Sequence, residues 1–200
     1  MRSKTVLLII TGIVGLALFS GVGSYNTLVK LDQEVQAQSA QVENAYQRRA
    51  DLVPNLVATV KGAAQFEKDT FTAVTEARSK VGQASPGAMA DLARDPAALR
   101  RFEEAQQTLS SALSRLMVVV EKYPDLKATA AFRDLQAQLE GTENRIAVER
   151  MRFNQAAQAF NTKRNSFPTV MLAGLFGGRF KEKAYFQAQA GAQTAPRVQF

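Results

Sequence analysis

The sequence predicts an all-α protein, an N-terminal transmembrane helix followed by an antiparallel bundle of long helices. Three observations carry this prediction. No charged residue occurs between Thr5 and Val29, and Val6 to Val22 is mostly Val, Leu, Ile, Gly and Phe. Beyond that run, apolar residues recur at steps of three and four over long stretches, the period of one helical face. The same region is rich in Ala, Gln, Glu, Arg and Leu, and the chain holds only 6 Pro and 12 Gly, a composition that favours helix over sheet. With 46% hydrophobic and 22% charged residues, there is enough apolar side chain for a packed core.

The predicted organisation is an anchor over residues 1–24, a bundle over 25–186 and a disordered tail over 187–200. A helix of about 20 residues crosses the hydrocarbon core of a bilayer, and the apolar run meets that length. Arg2 and Lys4 precede it, and the first charges after it are Lys30, Asp32 and Glu34. The positive-inside rule then keeps the N-terminus in the cytoplasm and places the bundle in the periplasm, on an inner-membrane protein that spans once. A removable export signal has the same basic start and apolar centre, and Ser20-Gly21-Val22-Gly23 offers small residues for cleavage. Ala17 and Gly21 form a small-xxx-small pair suited to helix packing.

The first bundle helix is predicted from Tyr25 to Lys80, with Leu28, Leu31, Val35, Val42, Ala45, Leu52, Leu56, Val60, Ala63, Phe71 and Val74 on one stripe. Pro54 sits inside it and removes the hydrogen bond to the Ala50 carbonyl, so a kink or short break is expected there, with Asp51 capping a restarted helix. A split at Pro54 makes the bundle four-helical. Gly82 to Arg94 reads as turn, and Asp95-Pro96 as the N-cap and first position of a second helix reaching Lys122. Its inward residues are Leu99, Phe102, Leu109, Leu113, Leu116, Met117 and Val120. Tyr123-Pro124-Asp125 ends it. A third helix is predicted from Lys127 to Arg164 with a seam of Phe132, Leu135, Leu139, Ile146, Phe153, Ala157 and Phe160. A short apolar helix, Pro168 to Phe176, follows and stops at Gly177-Gly178. Tyr185 and Phe186 are candidates to pin the chain down afterwards.

Two polar segments interrupt this apolar logic. Gln47 to Val57 contains Arg48, Arg49, Asp51, Pro54 and Asn55, and Leu139 to Arg150 contains Glu140, Glu143, Asn144, Arg145 and Arg150. Thr142 and Glu143 fall on or beside the apolar face, where polar groups must find partners. Arg48 or Arg49 is the expected partner of Glu143, and Arg145 or Arg150 that of Asp51, in a structural polar network that fixes helix register. The competing reading is a carboxylate metal site. Glu140 and Glu143 have the spacing of a di-iron bundle motif, but the chain has no histidine. An all-oxygen site for Mg²⁺ or Mn²⁺ stays open on the sequence alone.

Absences limit the chemistry. The chain has 0 Cys and 0 His, which excludes disulfides, thiolate nucleophiles, Cys/His zinc sites and any histidine-based dyad. The net charge of +7 is spread along helices among acidic residues and carries no interleaved aromatics, so a solvated face is expected rather than nucleic-acid binding. No cofactor and no small-molecule substrate is indicated.

The sequence resembles the LemA family. The resemblance is carried by Tyr25-Asn26-Thr27-Leu28-Val29, Gln47–Val57, Ala77-Arg78, Tyr123-Pro124-Asp125-Leu126-Lys127, Leu139–Arg150, Phe160-Asn161-Thr162, Phe167-Pro168 and Ala173-Gly174-Leu175-Phe176-Gly177. It covers about residues 24–186. Phe153 and Phe160 stand where the family usually has Tyr before Asn, so any role of those hydroxyls is lost here. The resemblance implies a bacterial membrane protein with an N-terminal transmembrane helix and a four-helix bundle, and no established enzymatic activity. By analogy with a member implicated in building an organelle membrane, it hints at membrane organisation. The expected role is a non-enzymatic scaffold or adaptor, partnered by the bilayer and by other membrane proteins or further copies of itself. The alternatives are direct membrane remodelling through Val170–Phe176 with its flanking Arg164, Arg179, Lys181 and Lys183, and a carboxylate-metal-dependent enzyme.

Overall fold

A computed structural model describes residues 2–63, 68–84, 89–175 and 177–187. Helix α1 runs unbroken from Arg2 to Ala63. It is followed by α2 (Lys68–Ala84), α3 (Met89–Leu92), α4 (Pro96–Val120), α5 (Pro124–Lys127), α6 (Ala130–Asn165), α7 (Thr169–Leu175) and a 3₁₀ turn at Gly177–Phe180. Among the described residues there is no strand, and the long helices pack on one another.

The break expected at Pro54 is not there. Helix α1 passes through Pro54 and ends at Ala63, and α2 begins at Lys68. The physical reason lies on that next helix. The Ala50 carbonyl, which loses its donor to the proline, accepts a hydrogen bond from Arg78 Nε at 3.2 Å. Asp51 therefore caps nothing; it is exposed and accepts from Gln47 Nε2 at 2.9 Å. The Gly82–Arg94 turn also needs correction, because α2 continues to Ala84 and α3 follows at Met89. Asp95 caps α4 as its sequence suggests, accepting from the Ala97 and Ala98 amides.

Helix lengths set the architecture. From Tyr25 to Ala63, α1 covers roughly 58 Å, close to the roughly 54 Å of the 36-residue α6. The two pair along the whole bundle. Helices α2 and α4 are shorter and pair with each other, so they complete a four-helix section only at the end remote from Tyr25. There the core is Val53, Leu56, Val60, Phe71, Val74, Leu109, Leu113, Leu116, Phe132 and Leu139. In the other half the third layer comes from α3, the start of α4, α7 and the C-terminal segment. Leu28, Val35, Val42, Phe102, Phe153, Phe160, Ala173, Phe180 and Phe186 form that second core.

The stripe on α1 is also adjusted. Val53 is buried and Leu52 only half-buried, with Tyr46 and Arg49 joining the inner face. The remaining part of α1, Arg2 to Gly23, extends beyond the bundle for roughly 33 Å. Leu7, Leu8, Phe19 and Val22 there are 66%, 73%, 82% and 62% exposed. Among the described residues no helix is long and apolar enough to cross a membrane. The side chains of Val6, Ile13, Val14, Leu16, Ala17 and Leu18 lie outside the described residues, and with them the Ala17–Gly21 packing face. Residues 188–200 of the expected tail lie outside them as well.

Candidate functional site

The polar layer at the middle of the bundle is built around Arg49, which sits on the inner face of α1 and is 2% exposed. A buried guanidinium must have its donors answered. Arg49 Nη1 donates to Glu143 Oε1 at 2.9 Å on α6 and to Ser110 Oγ at 3.1 Å on α4. Nη2 donates to the side chain of Gln106, itself buried. The guanidinium lies over the Tyr46 ring at 5.3 Å, and Tyr46 meets Phe102 edge-on at 4.9 Å. One side chain thus ties α1, α4 and α6 at a single level. Arg49 Nε is buried and without a partner.

Of the two arginines offered to Glu143, Arg49 takes it and Arg48 is exposed. The Asp51 pairing is not formed. Arg145 lies 3.9 Å from Glu149 and Arg150 2.8 Å from Glu103, while Asp51 stays with Gln47. The reason is angular: Asp51 is two residues from Arg49 on α1 and so points away from the α6 face. Asn55 and Asn144 are exposed, as is Glu140, which accepts from Gln136 on its own helix at 2.9 Å. Pro54 is exposed.

A second set of polar contacts, unread in the sequence, holds residues 181–187 in the groove left open where α2 and α4 do not reach. Asn161 Nδ2 donates to the Lys183 carbonyl at 2.9 Å, and the Lys183 amide donates to Asn161 Oδ1 at 2.8 Å. One heptad earlier, Asn154 does the same to Phe186, with both bonds at 2.9 Å. Seven residues of helix advance about 10.5 Å, and three residues of extended chain advance about 10 Å. The two asparagines are therefore spaced to read the backbone of residues three apart. Phe153 and Phe160, one position before each asparagine, point into the core. The signal was available as a Phe-Asn pair repeated after seven residues.

Lys183 was expected as a basic flank for a lipid-facing segment. It is instead 3% exposed and paired with Asp32, also buried, and its ammonium lies 4.7 Å from the Phe160 ring. Gln187, the first residue of the tail predicted to be disordered, is fixed. Its amide donates to Glu103 at 3.1 Å and its carbonyl accepts from Arg150 Nη2 at 2.6 Å.

Burial perturbs two ionisable groups here. It pushes the Glu103 carboxyl above its ordinary 4.5, outweighing the Gln187 amide and the Arg150 and Arg100 charges that favour ionisation. Burial likewise raises Tyr46 above 10.0, against the opposing effect of Arg150 and Arg49. A cleft of about 220 Å³ separates these groups, lined by Tyr46, Arg49, Arg100, Glu103, Glu143 and Arg150 among others. Two of its three carboxylates are engaged, Glu143 by Arg49 and Glu103 by Arg150 and Gln187, and the third, Glu104, is exposed. Among the described residues no three carboxylates gather as a metal would require. What the arrangement does chemically is neutralise charge between helices, Arg49 with Glu143 and Arg150 with Glu103.

The family model described as LemA family matches residues 38–200. The chain belongs to the LemA family. The match spans the Arg49–Glu143 layer and the Asn154–Asn161 clamp. LemA relatives include magnetosome proteins MamQ 2 and MamQ 1 of Paramagnetospirillum magneticum, each 29% identical over 85% of this chain and 67% of the relative. MamQ of Magnetospirillum gryphiswaldense is 28% identical over the same shares. Protein LemA of Metamycoplasma hominis is 25% identical over 80% of this chain and 68% of that protein. None of these names denotes an enzyme.

Proposed function

We propose that this LemA-family chain is a single-pass inner-membrane protein whose bundle acts as a scaffold or adaptor without catalysis. The observation that carries the reading is α1. The helix continues without a break from an uncharged apolar segment into the bundle core. Its projecting part exposes Leu7, Leu8, Ile9, Ile10, Phe19 and Val22 on all sides. A helix apolar all round needs an apolar surrounding, and the uncharged stretch from Thr5 to Gly23 rises roughly 28 Å, close to a hydrocarbon core of about 30 Å. Arg2 and Lys4 support a cytoplasmic N-terminus and a periplasmic bundle. The retained reading is favoured over a cleaved signal because removal of the segment would cut α1 where Ser24 is already buried.

The scaffold role is supported by the polar layer, in which Arg49 and Glu143 answer each other across helices. The MamQ relatives are named as magnetosome proteins, which fits a protein serving a larger assembly. The deciding measurement is cross-linking in cells with identification of neighbours, run with a reporter fused at residue 200 for topology. A membrane-protein neighbour or a second copy is expected. A strictly monomeric protein without neighbours would sink the adaptor reading, and a mature chain starting near residue 22 the anchor.

A further inference from the structure

The anchored end of the bundle carries an apolar surface that packing does not explain. Helix α7 turns Thr169 and Ala173, at i and i+4, into the bundle, where they are 0% and 3% exposed. Met171 and Leu175, also at i and i+4, point the other way and are 65% and 81% exposed. Phe167 just before the helix is 81% exposed and Val170 44%. Had α7 served only to close the bundle, its outer face should be polar. The outer face is instead apolar, which places a second apolar medium on that side.

Position and charge identify that medium. Helix α7 contacts α1, and Ala173 joins the core cluster of Leu28. The 3₁₀ turn that follows sets Phe180 edge-on to Tyr25 at 5.6 Å, with Arg179 over the Tyr25 ring at 5.4 Å. Tyr25 follows the buried Ser24, where the projecting part of α1 enters the bundle. The exposed face of α7 thus sits at the level where α1 leaves the bundle. The segments that meet there carry Lys30, Lys163, Arg164, Arg179 and Lys181 against Glu34 and Glu182, since Asp32 is neutralised by Lys183. A second copy meeting this face by two-fold symmetry would oppose the same cations.

We propose that α7 is a docking collar that seats on the headgroup layer of an anionic phospholipid bilayer, its outer apolar side chains entering the acyl boundary and its basic rim meeting the lipid charge. Interfacial helices bind in this manner, through apolar area plus attraction to anionic lipid. The inference rests on the anchor reading for its geometry. It adds that the bundle is held against the membrane rather than swinging on a tether.

The absence of cysteine makes the test clean. The full chain is reconstituted in vesicles of mixed zwitterionic and anionic phospholipid containing a depth-calibrated quencher lipid. Single fluorophores are placed through Leu8→Cys, Met171→Cys, Leu175→Cys and, at the far end of the bundle, Asp125→Cys. Quenching is expected at 8 by quencher within the acyl chains and at 171 and 175 by quencher at the headgroup boundary, with none at 125. Quenching at 8 with 171 and 175 as silent as 125 overturns the collar and leaves the anchor standing. Quenching at 171 and 175 without 8 supports the collar and removes the anchor; silence at all positions removes both. Arg179→Gln with Lys181→Gln is expected to lower the docked-to-undocked ratio about 30-fold, from the usual contribution of each basic side chain near an anionic surface. An unchanged ratio, or equal quenching in purely zwitterionic vesicles, overturns the assignment to anionic lipid.

Discussion

Arg49 and Glu143 are unequal partners, and the inequality makes a prediction. Arg49 is buried, whereas the Glu143 side chain is 39% exposed. Removing Glu143 strands a cation inside the bundle; removing Arg49 leaves a carboxylate that water can reach. Glu143→Ala is therefore expected to destabilise by about 2–3 kcal/mol, below the full cost for a buried pair because of that exposure. Arg49→Met, which fills the same space without charge, is expected to cost about 1 kcal/mol or less. Denaturant unfolding of the two variants checks the order, and a reversed order would show that the Arg49 contacts to Ser110 and Gln106 dominate. Glu103 predicts a pH effect. Its carboxyl is raised in the folded chain, so folding binds a proton as pH falls through the window between that raised value and the ordinary 4.5. Stability from this group accordingly rises on acidification and declines as pH rises through the window. Glu103→Gln should flatten that slope, measured as melting temperature against pH. A slope unchanged in the variant would assign it to other carboxylates.

At the scale of elements, Pro54 and Arg78 form one unit although they lie on different helices. A proline inside a helix leaves a carbonyl without its donor, and Arg78 supplies a replacement to Ala50 from α2. Arg78→Ala should destabilise the natural chain more than it destabilises the Pro54→Ala variant, in which the substituted residue regains a backbone amide that can serve the Ala50 carbonyl. The coupling expected from a double-mutant cycle is about 0.5–1 kcal/mol, the net worth of one such bond. Zero coupling would mean that solvent serves the carbonyl equally well. The interruption that the sequence predicts is absent because Arg78 supplies that bond. Proline chemistry is local and legible in the sequence, but the repair comes from a residue 28 positions away, and its proximity depends on how α2 folds back.

At the scale of the molecule, the Tyr25 half of the bundle depends on a segment with no regular structure. Residues 181–187 supply the layer that α2 and α4 provide at the other end, held by four hydrogen bonds from Asn154 and Asn161. Asn154→Ala with Asn161→Ala leaves two backbone amides without acceptors and should release the segment while the remote core persists. Hydrogen exchange at residues 183–187 is expected to accelerate about 100-fold or more, on roughly 1 kcal/mol for each lost bond. Amides around Leu113 and Leu116 should keep their protection. Uniform acceleration throughout would mean that the two cores unfold as one.

The helices, the seams and the long apolar start of α1 were determined by the sequence itself, because periodicity and composition act within one element. So was the link between Glu143 and an arginine at 48 or 49, since each lies beside an apolar stripe and needs an answer there. Only the tertiary structure decided which arginine turns inward, where Asp51 points, and that Lys183 is buried against Asp32 rather than set towards lipid. It also decided that residues 181–187 close the groove. Those outcomes depend on the relative lengths of helices far apart in the chain. Where α2 and α4 fall short of α1 and α6, an open groove remains, and no local pattern says which segment will return to fill it.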